Sequence, residues 1–437
     1  MTTDNGKPGV ISPLQNQTIH RTVLDNGIVV LVGENPAADI IAARIFVRAG
    51  SCSQAQEKAG LAHLLSAVLT KGTPNLSSLE IAQRVESVGA SLSTDAAADY
   101  FLLSLKTVSA DFAEILELAG QLLLEPTFPE VEVELERRLV LQDIRSQKEQ
   151  PLMIAFEQLQ QAIYQNHPYA LSGLGTEATV SQLSRADLQH YHQTYFRPDN
   201  IVISIAGRVT PKDAVALVEK VFGDWQVPPT PLPTLTLPTL SANPQQKMTP
   251  QQTQQSIVML GYLAPAVQKA DYTALKLLST YLGNGLSSRL FVELREKRGL
   301  AYEVSAFYPT RLEPSTFVVY MGTAPENTAI ALSGLQTEVE LLCSAQLEDD
   351  ALQVAKNKLL GQYALGKQTN AQIAQLFGWY ETLGLGIELD TQFQEHVAGV
   401  TAAMAQEAAC QYLLEPYVSI VGPEEALNSL VALSQPA

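Results

Sequence analysis

Residues 60–67 read Gly60-Leu61-Ala62-His63-Leu64-Leu65-Ser66-Ala67, and the chemistry open to the chain turns on them. Leucines and alanines around a lone histidine predict a helix over residues 58 to 71. Lys71-Gly72 should close it with a basic last turn and a glycine. The positions three and four residues beyond His63 share its helical face. They hold Ser66 and Ala67. Alanine donates no electron pair and serine is neutral at pH 7, so this face offers one imidazole and little else.

Upstream, Thr22-Val23-Leu24, then Asp25-Asn26-Gly27, then Ile28 to Val32 read as a tight hairpin. Asn-Gly favours such a turn because both central residues take positive φ. Residues 40 to 48 and 100 to 108 read as strands, and 110 to 125 and 129 to 147 as helices. Ser77-Ser78-Leu79-Glu80 is a capping box, in which Ser77 and Glu80 satisfy each other's backbone donors. The helix it opens should carry Ile81, Ala82, Val85 and Val88 on one face and stop at Gly89.

Residues 227 to 252 are so rich in proline that helix and central strand are both forbidden, which predicts an extended linker. The segments either side end alike: YFRPDNIVISIAGRVT at 195 to 210 and YLLEPYVSIVGPEE at 412 to 425. Each is a helix end followed by an apolar strand ending in glycine. Two copies of one α+β unit are therefore expected, at 15–226 and 253–437, joined by the linker 227–252.

A chain of 437 residues exceeds the usual size of one core, and 46% hydrophobic with 17% charged residues is an ordinary soluble composition. A formal charge of −17 disfavours nucleic acid and anionic membranes as partners. Cys52, Cys343 and Cys410 are odd in number and scattered, fitting neither a disulfide framework nor a metal cluster, and so favour a reducing compartment. Residues 1–17 lack a basic start and an apolar core, and no apolar run approaches the ~20 residues that span a bilayer. Cytoplasmic placement follows as an expectation.

In an inverted zinc motif, His-x-x-Glu-His, two imidazoles on one helical face bind the metal and the glutamate takes a proton from the bound water. A distant carboxylate completes the protein ligands. Here Ser66 and Ala67 replace the base and the second imidazole. Glu136 and Asp143, seven residues apart on one predicted helix, face the same way. Asp143 falls 76 residues beyond Ala67 (143 − 67), where the third ligand would come. His63, Ser66, Ala67, Glu136 and Asp143 thus mark a degenerate metal site, and no metal is expected in this chain.

Further pieces accompany this helix: Gly50-Ser51, Lys71-Gly72-Thr73, His167-Pro168-Tyr169, Gly175-Thr176-Glu177 and Tyr195-Phe196-Arg197-Pro198-Asp199-Asn200. The second half adds Leu286-Ser287-Ser288-Arg289-Leu290-Phe291 and Leu294-Arg295-Glu296-Lys297-Arg298-Gly299-Leu300-Ala301-Tyr302. In this order, over nearly the whole chain, they resemble the insulinase/pitrilysin metallopeptidase family, closest to its processing-peptidase-like branch.

That resemblance implies two homologous α/β domains, each an antiparallel-rich sheet with helices packed on it, together forming half of a clam-shell chamber. A peptide would add there as a strand to a sheet edge. It also implies that Arg295 and Tyr302, seven residues apart, hold the scissile carbonyl, since a guanidinium and a phenol can donate to an oxyanion. The family pattern Gly-Gly-x-x-Asn-Ala reads Gly89-Ala90-Ser91-Leu92-Ser93-Thr94 here, with Ser93 in place of a substrate-contacting Asn. Some members are paired subunits, one carrying zinc and the other the Arg/Tyr pair. The chain is expected to be the second kind: inactive alone, in a heterodimer with a zinc-bearing homologue, acting on extended peptides. The alternative is an inert scaffold of the same fold.

Overall fold

The computed structural model describes residues 18–434, so residues 1–17, read above for a targeting signal, lie outside the described residues. The first half runs β1 (Ile19–Val23), β2 (Val29–Glu34), β3 (Ile40–Val47), α1 (Leu61–Val68), α2 (Ser78–Ser87), β4 (Ser91–Ala96) and β5 (Phe101–Val108). It continues through α3 (Phe112–Leu124), α4 (Glu130–Lys148), α5 (Pro151–Tyr164), α6 (Glu177–Val180), α7 (Arg185–Tyr195), β6 (Ile201–Gly207) and α8 (Pro211–Phe222).

The second half runs β7 (Gln246–Pro250), β8 (Ser256–Ala264), α9 (Tyr272–Gly283), a π-helical segment (Phe291–Lys297), β9 (Ala301–Phe307) and β10 (Ser315–Thr323). Then come α10 (Thr328–Ser344), α11 (Asp349–Leu365), α12 (Asn370–Thr382), α13 (Leu389–Gly399), α14 (Ala402–Tyr412), β11 (Tyr417–Gly422) and α15 (Glu424–Ser434).

One sheet has the order β1-β2-β6-β3-β5-β4 and the other β7-β11-β8-β10-β9. With β1 set aside the two orders are the same, and so are the directions. The pairs β2/β6 and β7/β11 are parallel. Every other neighbouring pair is antiparallel. The look-alike strands of the sequence, β6 and β11, occupy equivalent places. The fold is thus the duplicated, antiparallel-rich α/β architecture expected.

Each sheet is covered on both faces. The first packs one face on its own helices, with Val30, Val32, Ile45 and Leu103 against Leu64, Leu65 and Ile115. Its other face, including Leu31, Phe46 and Val202, meets Ile373, Ala374 and Phe377 of α12 from the second half. The second sheet returns the arrangement. Ile257, Met259 and Val421 meet Leu159 and Ile163 of α5 from the first half.

Glycine permits both approaches. A Cβ on Gly378 of α12 would lie 2.4 Å from the Phe46 ring, and one on Gly261 of β8 would lie 2.7 Å from Leu159. Polar ties fix α12 at its ends: Asn370 Nδ2 donates to the Ile40 carbonyl at 2.8 Å, and Arg21 grips Glu381 at 2.8 and 3.0 Å.

Several local expectations are corrected. In the hairpin only Gly27 has positive φ (93°), because Asn26 uses its side chain to donate to the Phe222 carbonyl at 2.7 Å. Helix α1 covers Leu61–Val68 only, so Lys71-Gly72 stands beyond it. On α2, Ile81 and Val85 are buried but Ala82 is exposed, while the Ser77–Glu80 capping box forms as read. The stretch 227–252 is extended at first but includes β7, an edge strand parallel to β11, the position a sheet allows a proline-flanked segment.

Cys343 and Cys410 form a disulfide, contrary to the expectation from their spacing. Their helices, α10 and α14, pack side by side, which a separation of 67 residues in sequence conceals. The scatter of cysteines therefore no longer argues for a reducing compartment. Cys52 remains free and buried. No helix among the described residues is long and apolar enough to cross a membrane.

Two measurements test this packing. Gly378→Ala should destabilise the chain by about 1–3 kcal/mol through overpacking, despite alanine's helix preference. Gly361→Ala on α11, where nothing lies within 4 Å, should not. Urea unfolding compares them. Thiol titration of the denatured, unreduced chain should return one free thiol out of three cysteines; three free thiols would contradict the bridge.

Candidate functional site

Helix α1 is set by contacts on its approach. The Ala62 amide donates to Gln54 Oε1 at 3.0 Å, and Thr179 Oγ1 donates to the Ala59 carbonyl at 2.8 Å. Within it, Ser66 is buried and its hydroxyl donates to the His63 carbonyl at 2.7 Å. From β4, Thr94 Oγ1 donates to the Ser66 carbonyl at 2.6 Å. Ser66 thus serves as helix and strand connector, with no carboxylate to act as a base.

His63 is half-buried, and burial pushes its pKa down, opposed by Asp95, Asp143 and Glu136. The structure therefore brings His63, Glu136 and Asp143 into one neighbourhood. Asp95 belongs there too and was missed. Its signal was the alternation of β4, in which Ser91, Ser93 and Asp95 share the exposed face.

Glu136 is not free to ligate. Its carboxylate pairs with Lys71 Nζ at 2.7 Å. Asp143 is exposed, and Ala67 has no donor atom. Among the described residues no three His, Cys, Asp or Glu side chains group as a metal site. Zinc, which the resemblance implies for this helix, does not fit the residues present: one imidazole, a carboxylate held by an ammonium and two solvated aspartates, Asp95 and Asp143.

The second candidate pair lies at the outer strand of the other sheet. The segment Phe291–Lys297 is anchored by buried Leu294, and the Leu300 amide donates to the Leu294 carbonyl at 2.9 Å. Arg295 projects from it, exposed, its guanidinium 4.9 Å from the Phe291 ring centroid. Strand β9 then pairs with β10, where Ala301 opposes Thr323 and Glu303 opposes Gly322. Tyr302 is the extra residue between them, so it sits at a β-bulge, a device that re-aims a side chain. It is 62% exposed. Among the described residues neither side chain makes a hydrogen bond or ion pair, so both keep donors available.

Other quoted pieces prove structural. His167 Nδ1 accepts from the Tyr169 amide at 3.1 Å, and Tyr169 OH donates to Asp99 Oδ1 at 2.6 Å beneath the Arg311 guanidinium. Arg197 chelates Asp199 and donates to the Thr230 carbonyl at 2.6 Å, tying down the start of the linker.

A duplicated α/β fold with a vacated metal-helix pattern in one half defines a peptidase-like architecture, and comparison with known proteins agrees. The model for the insulinase family, peptidase family M16, matches residues 29–177. The model described as the peptidase M16 inactive domain matches 182–359, a segment that does not contain α1.

Relatives include uncharacterized zinc proteases of Mycobacterium leprae (27% identical, covering 94% of this chain and 93% of the relative) and of Bacillus subtilis (26%; 91% and 98%). Among solved structures, a peptidase M16 inactive domain from Pseudomonas fluorescens has a TM-score of 0.86 at 25% identity, covering 93% of this chain and 98% of that one. A Helicobacter pylori protease shares the fold with a TM-score of 0.87 at 22% identity, over 93% and 100%. The chain belongs to the insulinase family, peptidase family M16, and lacks that family's zinc motif.

Metal analysis of the purified chain after dialysis should therefore give well under one zinc per molecule. Ala67→His, which restores a second imidazole one turn from His63, should raise retention measurably; a stoichiometric zinc in the unsubstituted chain would overturn the account of this helix.

Proposed function

We propose that this chain is the non-metal-binding subunit of a two-subunit zinc endopeptidase. The partner, a homologue with an intact His-x-x-Glu-His helix, carries the zinc and its chemistry. This chain contributes half of the peptide chamber, and Arg295 and Tyr302 donate to the carbonyl oxygen of the scissile bond. The observation that carries the reading is a contrast between the halves. On α1 the base and second-imidazole positions hold Ser66 and Ala67, and on α4 Glu136 is paired with Lys71. On β9 the bulge leaves Tyr302 exposed and, among the described residues, without a hydrogen-bond partner, in the same half as an exposed Arg295.

Guanidinium and phenol donors suit a developing oxyanion, because charge on that oxygen grows toward the tetrahedral state and strengthens both bonds. Extended peptide would be held by main-chain pairing at an open sheet edge, as β4 and β9 each end a sheet. Cytoplasmic placement competes with the Cys343–Cys410 bridge, and the thiol count decides between them.

The test mixes the chain with a zinc-motif homologue from the same source and assays cleavage of unstructured peptides. Cleavage should appear only in the mixture. Arg295→Ala should lower kcat/KM by about 10²-fold with complex formation unchanged, the scale for losing one oxyanion donor. An equally active mixture after Arg295→Ala with Tyr302→Phe would defeat the reading and leave an inert scaffold.

A further inference from the structure

The duplication gives the α1 site a counterpart. In the first half α1 packs on α4 and β4; in the second, α9 packs on α11 and β9. Where the first half places His63 and its carboxylates, the second has a cavity of about 540 Å³ between α9, β9, α11, α12 and α13. That volume suits a small ligand. Aromatic rings, Tyr308, Trp379 and Phe393 among them, form much of one part of its wall.

Among the described residues one cation, Lys276, lines this cavity. Lys276 on α9 donates to the Tyr308 carbonyl at 2.7 Å, and its Nζ is 6.0 Å from the Tyr308 ring centroid. Among the described residues no carboxylate pairs with it, so two of its three N–H donors are left over.

The neighbouring polar groups are committed elsewhere. Tyr363 OH donates to Asp390 at 2.5 Å and so accepts from Tyr380 OH at 2.7 Å, while Lys367 also donates to Asp390. Tyr272 OH and Thr310 Oγ1 pair at 2.5 Å, and Asn284 donates to Gln362 at 2.8 Å. Ser279 and Thr280 both donate to the Lys276 carbonyl. Among the described residues no carboxylate lines the cavity, and Asp390 beside it is held by Tyr363 and Lys367.

We propose that this cavity binds a small apolar carboxylate, its body among Tyr308, Trp379 and Phe393 and its carboxylate on Lys276. Burial lowers the Lys276 pKa to about 8, so the ammonium persists at neutral pH but is poorly solvated, and an anion would relieve that cost. A free aromatic acid and the C-terminal residue of a peptide share this chemistry. The proposal stands independently of the roles given to Arg295 and Tyr302.

The experiment uses the full chain carrying Trp225→Phe, which leaves Trp379 as the remaining one of two tryptophans. Emission is followed on titration with 3-phenylpropionate, its neutral amide, and the peptide Gly-Gly-Phe with free or amidated C-terminus. Saturable binding of the acids, at least ten times tighter than the amides, is expected. Lys276→Met should remove that preference while amide binding and the urea midpoint hold. Stronger binding of the peptide acid than of the free acid would identify peptide ends as the source, and the reverse would identify free acids. Equal binding of acid and amide by the unsubstituted chain, or no saturable change with any probe, overturns the proposal without reliance on the Lys276 variant.

Discussion

The packing of α12 on the first sheet and of α5 on the second is the constraint from which the rest follows. Each sheet needs a helix of the other half to bury its second face, so neither half presents a finished surface alone. The consequence is visible along the strands. β6 is buried at all seven positions and β11 at all six, where a one-faced sheet would alternate. The reciprocal helices also fix the junction. Tyr164, Tyr169 and Ala155 share one apolar cluster with Val318 and Tyr417. Arg311 over the Tyr169 ring carries the contact into polar ground. A molecule joined in this way positions the edges β4 and β9 relative to one another without help from the linker.

On that frame the two halves have diverged in opposite directions. Equivalent elements surround both sites, yet one holds an imidazole amid three carboxylates and the other an ammonium amid aromatic rings. The difference has a physical basis in burial. Asp95 and Asp143 are exposed, so their charges are solvated and need no counter-ion. Lys276 lies deep enough for burial to dominate its ionisation. The bulge at Tyr302 adds a second asymmetry. The aligned pair Asp95–Leu102 and its neighbours on β4 keep regular register, whereas β9 breaks its own beside β10.

Much of the architecture was legible in the sequence. The capping box at Ser77, the strands at 40 to 48 and 100 to 108, and the likeness of β6 to β11 all rest on local patterns. The helix exchange was not legible, because no local rule says which helix covers which face. Its trace was the absence of polar alternation in IVISIAG, which demanded two apolar neighbours. The Cys343–Cys410 bridge was hidden for a related reason: contact between α10 and α14 is tertiary, and spacing alone cannot report it. In the site, Ser66 and Ala67 could be judged from chemistry alone. The Lys71–Glu136 pair could not, since α1 ends at Val68 and Lys71 reaches α4 from beyond the helix.

The buried face of α1, with Leu61, Leu64, Leu65 and Val68 in the core, keeps it folded without a metal, and that pair balances charge beside it. A zinc ion among carboxylates supplies both ligation and charge balance, so its loss alone would leave Glu136, only 13% exposed, uncompensated. Lys71 supplies the balancing charge at 2.7 Å, and Ser66 and Thr94 supply the hydrogen bonds that join α1 to β4. His63, with its pKa lowered by burial, is neutral near pH 7 and adds no charge of its own. The helix is therefore not merely missing ligands. Its surroundings carry an alternative set of interactions, and freeing Glu136 would mean breaking an ion pair, a step separate from restoring an imidazole.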